Sequence, residues 1–87
     1  LERQLMKLEL NKNMKKIFII KVENQPGVLY RLVNVFYRRK INIQTVNAFE
    51  TKNKAISQVS IATEISKEMV EKIVKQINKI IEVVSVK

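Results

Sequence analysis

From Lys15 onward the spacing of apolar residues changes in a fixed order, and that order leaves few folds open to the chain. Lys15 to Glu23 reads as a strand. Ile17, Phe18, Ile19, Ile20 and Val22 are β-branched or aromatic and fall on both faces, as in a central strand. Asn24-Gln25-Pro26-Gly27 breaks it with the chain's single proline and single glycine. Pro26 fits a first helical turn, where its missing N–H costs little. Gly27 admits a positive φ or a close backbone approach. A helix follows over Pro26 to Arg39, with Val28, Leu29, Leu32, Val33 and Phe36 as one apolar stripe and Arg31, Asn34 and Arg38 opposite.

Ile41 to Glu50 alternates as a second strand. Ile41, Ile43, Thr45, Asn47 and Phe49 go one way; Asn42, Gln44, Val46, Ala48 and Glu50 go the other. Thr51-Lys52-Asn53-Lys54 is a polar hairpin turn, and Ala55 to Glu64 is a third strand through Ile56, Val59 and Ile61. Ser66 can cap a second helix that reaches about Ile80. Met69, Val70, Ile73, Val74, Ile77, Ile80 and Ile81 recur there at spacings of three and four. Glu82 to Lys87 returns as a strand through Val83, Val84 and Val86.

Two right-handed β-α-β crossovers in one antiparallel sheet make an α+β, ferredoxin-like βαββαβ sandwich with both helices on one face. Strands 1 and 3 are expected at the centre, and 2 and 4 at the edges, where unpaired backbone groups need a partner or blunting. The domain is expected over 14–87. Residues 1–13 read as an N-terminal extension or an expression remnant. Within them Leu1, Leu5 and Leu8 keep helical spacing, while Met6, Leu8 and Leu10 alternate as in a strand. A chain of 87 residues buries only about 60–65% of its unfolded surface, so pairing with another chain is expected to stabilise it.

Composition removes most chemistry. There is no Cys, no His and no Asp, so thiolate nucleophiles, Cys/His zinc sites and Ser-His-Asp triads are excluded. A single glycine excludes the Gly-rich phosphate loops. No catalytic residues, no metal ligands and no cofactor are expected. No apolar run reaches the roughly 20 residues of a membrane span, and the lack of cysteine fits a cytoplasmic protein. Net charge is +9, and residues 15–40 carry seven basic groups against one acidic. That excess fits an acidic partner or nucleic acid, or simply a lysine-rich surface.

The strand-to-helix turn is the most informative place. N–H groups at Gly27, Val28 and Leu29 fall in a first helical turn without intrahelical acceptors and can stabilise a carboxylate. Asn24 adds an amide that both donates and accepts. Turn chemistry by itself also accounts for each of these residues.

The run Val22-Glu23-Asn24-Gln25-Pro26-Gly27-Val28-Leu29, followed by Leu32, Phe36, Arg38-Arg39 and Ile41-Asn42-Ile43, resembles the ACT domain of the acetolactate synthase (acetohydroxyacid synthase) small regulatory subunit. The tail from Val70 to Val86 is similar to that family's ending of the same domain. The resemblance covers about residues 15–87 and implies the fold derived above. It further implies a homodimer that binds a branched-chain amino acid, typically valine, between two copies. The implied role is to activate the thiamine-diphosphate-dependent catalytic subunit and confer feedback inhibition on it. Carried across, Asn24, Gly27, Val28 and Leu29 match the effector turn. Asn42 matches the asparagine that reaches the effector across the dimer interface. Ile43, beside it, is a candidate for the apolar wall, as are Leu29 and Ile41.

The chain departs from the family where Lys40 stands in place of a common glycine, and in Ile43-Gln44-Thr45-Val46-Asn47 after Asn42. Helix 1 must end without its left-handed glycine, or put Lys40 there at a cost of about 1 kcal/mol. Many members carry a second, C-terminal domain; this chain is expected to be a short single-domain form. The basic residues Arg31, Arg38 and Arg39 are candidates for binding a partner. Two other readings stay open: a stand-alone ACT sensor serving another enzyme, and a basic RNA-binding module of the same fold. The second would have only Phe18 on its central strands for stacking bases, so nucleic acid is not the expected partner.

Overall fold

The computed structural model describes residues 13–87. The expectation for residues 1–13 falls outside these, apart from Asn13. The elements are β1 (Met14–Glu23), α1 (Val28–Arg38), β2 (Asn42–Glu50), β3 (Ile56–Ile65), α2 (Lys67–Asn78) and β4 (Val83–Val86). They form one antiparallel four-stranded sheet in the order β2-β3-β1-β4. The ferredoxin-like βαββαβ sandwich therefore stands, with β1 and β3 central. No described helix is long and apolar enough to cross a membrane.

The core lies between the sheet and the helices. Phe18, Ile20 and Val22 of β1 and Val59, Ile61 and Ile65 of β3 meet Val28, Leu32 and Phe36 of α1 and Ile73 and Ile77 of α2. Phe18 and Phe36 pack edge to face, with centroids 5.3 Å apart and planes at 65°. Thr63 is the buried polar residue among them. Its hydroxyl donates to the Lys16 carbonyl at 3.0 Å, so burial leaves no unmet polar group.

Three expectations are corrected. First, Ile17 and Ile19 do not share this core. Ile17 is 50% exposed on the sheet face away from the helices, so β1 is central in the sheet yet half open. Second, β2 does not keep a simple alternation. Ile43 pairs with Thr63 but Thr45 pairs with Ala62, which leaves Gln44 as an extra residue in a bulge. A bulge shifts every later side chain by one position. Ile43 therefore packs against the core cluster, while Thr45, Asn47 and Phe49 pair with Ala62, Ser60 and Gln58 on the open face. Third, α2 stops at Asn78, and Ile81 is 90% exposed beyond it.

The helix ends are explicit. Ser66 caps α2, its hydroxyl accepting from the Met69 N–H at 3.3 Å, as its sequence position implies. At the C-terminus of α1, Lys40 N–H donates to Tyr37 O at 3.0 Å and Ile41 N–H to Phe36 O at 3.1 Å. These are the two bonds of a Schellman motif. The left-handed position in it is Lys40, at φ +55°, so the chain takes the second of the two endings open to it. Lys40→Gly is expected to stabilise the chain by about 1 kcal/mol, less whatever the freer glycine loses on folding. A melting temperature raised by a few degrees would show it, and a lowered one would contradict it.

Candidate functional site

The turn after β1 is built differently from a helix start at Pro26. Gln25-Pro26-Gly27-Val28 is a type II turn: Gly27 sits at φ +82°, ψ −6°, and Val28 N–H closes it onto Gln25 O at 3.3 Å. Pro26 supplies the fixed φ of the turn's second position and Gly27 the positive φ of its third. The helix proper begins at Val28, with Gly27 as N-cap and no side-chain cap. Gly27 O accepts the first helical bond, from Arg31 N–H at 3.1 Å.

This start, two residues later than expected, moves the free donors. Val28 was a candidate donor, but its N–H is taken by the turn and its side chain is buried in the core. The N–H groups of Gly27, Leu29 and Tyr30 meet no acceptor among the described residues. They face solvent at the positive pole of α1. Tyr30 is a donor that the sequence does not point to, because a helix read from Pro26 gives Tyr30 an intrahelical acceptor. Leu29 is 43% exposed beside it. A Cβ on Gly27 would meet no protein atom within 4 Å, so its glycine is required by φ and opens onto free space.

Asn24 lies on the same end of the molecule. Its backbone N–H donates to Ala55 O at 2.7 Å, which fixes the residue against the β2–β3 hairpin, and its exposed side-chain amide bonds nothing among the described residues. Asn42 lies at the other end. It faces Glu64 on β3, and so does Lys15 on β1. From Lys15 to Asn24 is nearly the full length of β1, roughly 30 Å at the rise of a strand. The chain therefore brings together Asn24, Gly27, Leu29 and Tyr30, and leaves Asn42 and Ile43 apart from them.

The side of the molecule that joins these two ends is open. α1 covers the β2 side of the sheet and α2 the β4 side. Every residue of β2 except Ile43 is exposed, and its outer edge has no strand partner among the described residues. Above it α1 exposes Tyr30 and Tyr37, which with Val33 and Asn34 line a shallow cavity of about 300 Å³.

Of the three basic residues, Arg31 is already paired within the chain. Its guanidinium binds the Glu82 carboxylate in a two-pronged pair, one contact at 2.9 Å. The partner is 51 positions away along the chain, so only the fold reveals it. Arg31 holds the Glu82 carboxyl below its ordinary range, chiefly by hydrogen bonding. A carboxyl so lowered stabilises the fold above the unfolded-state value, and that stabilisation is lost as pH falls through the folded-state one. The stability gap between the wild type and Glu82→Gln is therefore expected to be open at pH 7 and to close in acid below about pH 4. Urea titrations across that range check it. A gap that persists in acid would mean that Glu82 acts through packing instead.

A four-stranded antiparallel sheet with two helices on one face in the order βαββαβ is the architecture of an ACT domain. The chain belongs to the AHAS small subunit-like ACT domain family, whose model matches residues 18–85. It is similar to a probable acetolactate synthase small subunit from Archaeoglobus fulgidus, at 38% identity over 73 residues, covering 84% of this chain and 46% of that protein. The small subunit from Mycolicibacterium smegmatis is 38% identical over 65 residues, 75% of this chain and 38% of that one. Among solved structures, the acetolactate synthase small subunit from Thermotoga maritima superposes with a TM-score of 0.77 at 31% identity, covering 85% of this chain and 46% of that one. The chain thus spans about half the length of the curated relatives it matches.

Proposed function

We propose that the chain is a non-catalytic regulatory module of a cytoplasmic, thiamine-diphosphate-dependent acetolactate synthase. It pairs with a second copy, binds valine or a related branched-chain amino acid between the copies, and modulates the catalytic subunit. The observation that carries the reading is the separation of Asn24 and Asn42 along the exposed β2 side. A two-fold pairing of β2 edges runs the strands antiparallel. It therefore sets the Asn42 end of one copy beside the Asn24–Tyr30 turn of the other. The pairing also covers the bare strand edge and the exposed tyrosines of α1.

The chemistry of the resulting seam suits a zwitterion. Free N–H groups at Leu29 and Tyr30 receive a carboxylate at a helix N-terminus. The amide oxygens of Asn24 and of the partner copy's asparagine accept from an ammonium group. Leu29 offers an apolar wall to a branched side chain. An effector so placed shifts the catalytic partner only through differential affinity for two assembly states. The RNA-binding reading loses its support, since Phe18 has no exposed surface and is stacked in the core.

Thermal denaturation with valine, leucine and isoleucine tests the proposal. Ligand at 100 times its dissociation constant is expected to add about 2.7 kcal/mol, several degrees in a domain of this size. Asn24→Ala, whose side chain supports nothing in the protomer, should melt like the wild type without ligand and show no shift with it. A folded dimer unmoved by millimolar ligand would sink the sensing role.

A further inference from the structure

We infer that the groove between the two helices docks an acidic segment of a partner protein. Only the partner's identity, the catalytic subunit, rests on the regulatory reading above. Arg31, Arg38 and Arg39 all border one groove of about 500 Å³, with Asn34, Val35, Gln76 and Ile80 completing its lining. Glu82, across from Arg31, is fully engaged by it. Arg39 donates to the Val35 carbonyl at 3.2 Å, a neutral acceptor that leaves its charge uncompensated. Arg38 is exposed and has no ion pair or hydrogen bond among the described residues. Among the described residues, the groove therefore keeps two guanidinium charges without a counterion.

The lining selects the occupant. Guanidinium forks match carboxylates two-pronged, and the half-buried Val35 and Ile80 offer an apolar floor between them. A segment carrying carboxylates around an apolar side chain uses both features. A nucleic-acid strand would leave the floor unused and finds no aromatic side chain here on which to stack a base.

The test uses the full chain in two arms. In the first, the acetolactate synthase catalytic subunit of the same genome is titrated with the wild type, Arg38→Glu/Arg39→Glu and the milder Arg38→Gln/Arg39→Gln. A control, Lys15→Glu/Lys21→Glu, makes the same charge change on the opposite sheet face. Melting curves establish that each variant is folded. Expected is a loss of affinity of about tenfold or more for the glutamate pair, a smaller loss for the glutamine pair and little change for the control. Raised salt should weaken the wild type more than either groove variant. Binding by the wild type that the groove variants leave intact overturns the inference while the regulatory reading stands. No binding by the wild type removes that reading instead. The second arm then decides the groove, by amide NMR titration with a short synthetic peptide alternating glutamate with leucine. Shifts gathered on residues 31–39 and 76–80 support the docking site; shifts spread over all lysines, or none, overturn it.

Discussion

Phe36→Ala removes a large share of the stability of the isolated chain. Phe36 has no exposed surface and meets the edge of Phe18 at 5.3 Å. It is the point where α1 is clamped to β1. Truncating a buried phenylalanine costs about 3–5 kcal/mol in transfer and cavity terms, and the lost aromatic pair adds about 0.5–1.5 kcal/mol. A domain of this length has roughly 4–13 kcal/mol in all. Urea denaturation followed by circular dichroism should show the midpoint falling by more than about 1 M. Phe49→Ala is the contrast, because Phe49 is 55% exposed on the open sheet face and its loss should cost under about 1 kcal/mol. Equal losses from the two would mean that the open face is covered by something as closely packed as the core.

The element order was legible because each change of apolar period is long enough to dominate its window. What escaped were features that one residue decides. Nothing in Ile41-Asn42-Ile43-Gln44-Thr45 marks the bulge at Gln44; both strand faces carry polar residues, so alternation cannot report the slip. Proline fits a first helical turn and a type II turn alike, so the sequence reads the helix as starting two residues early. Gly27 resolved the ambiguity only through its φ. Lys40 was legible as a problem, a side chain where a glycine is usual, and the Schellman bonds show how it was met. The Arg31–Glu82 pair was out of reach, since helical spacing sends Arg31 to solvent and says nothing of a carboxylate on the far side of the second crossover. For the site, the turn was legible from Asn24, Pro26 and Gly27. The list of free amides was not, as it depended on where the helix began.

Mixing two inactive variants should restore effector binding. If each site takes its turn from one copy and its Asn42 from the other, Asn24→Ala and Asn42→Ala each abolish binding as homodimers. In the heterodimer of the two, one site combines both alanines and is lost. The other combines an intact turn with an intact Asn42. Random exchange puts half the molecules into heterodimers, so about a quarter of all sites return, as two-fold symmetry requires. Asparagines acting within one protomer would give none, because every turn would then keep its own defect. The roughly 30 Å between the two ends of one sheet is what makes the within-protomer outcome incompatible with a ligand the size of an amino acid. Isothermal titration of valine into an equimolar, denatured and refolded mixture reads the stoichiometry directly. A stoichiometry near one quarter of the wild type carries the shared site, and the same mixture without refolding serves as the unexchanged baseline. Recovery of none, with heterodimers verified by mass after labelling one variant with nitrogen-15, would place both asparagines' roles outside a common seam and take the two-fold β2 pairing down with it.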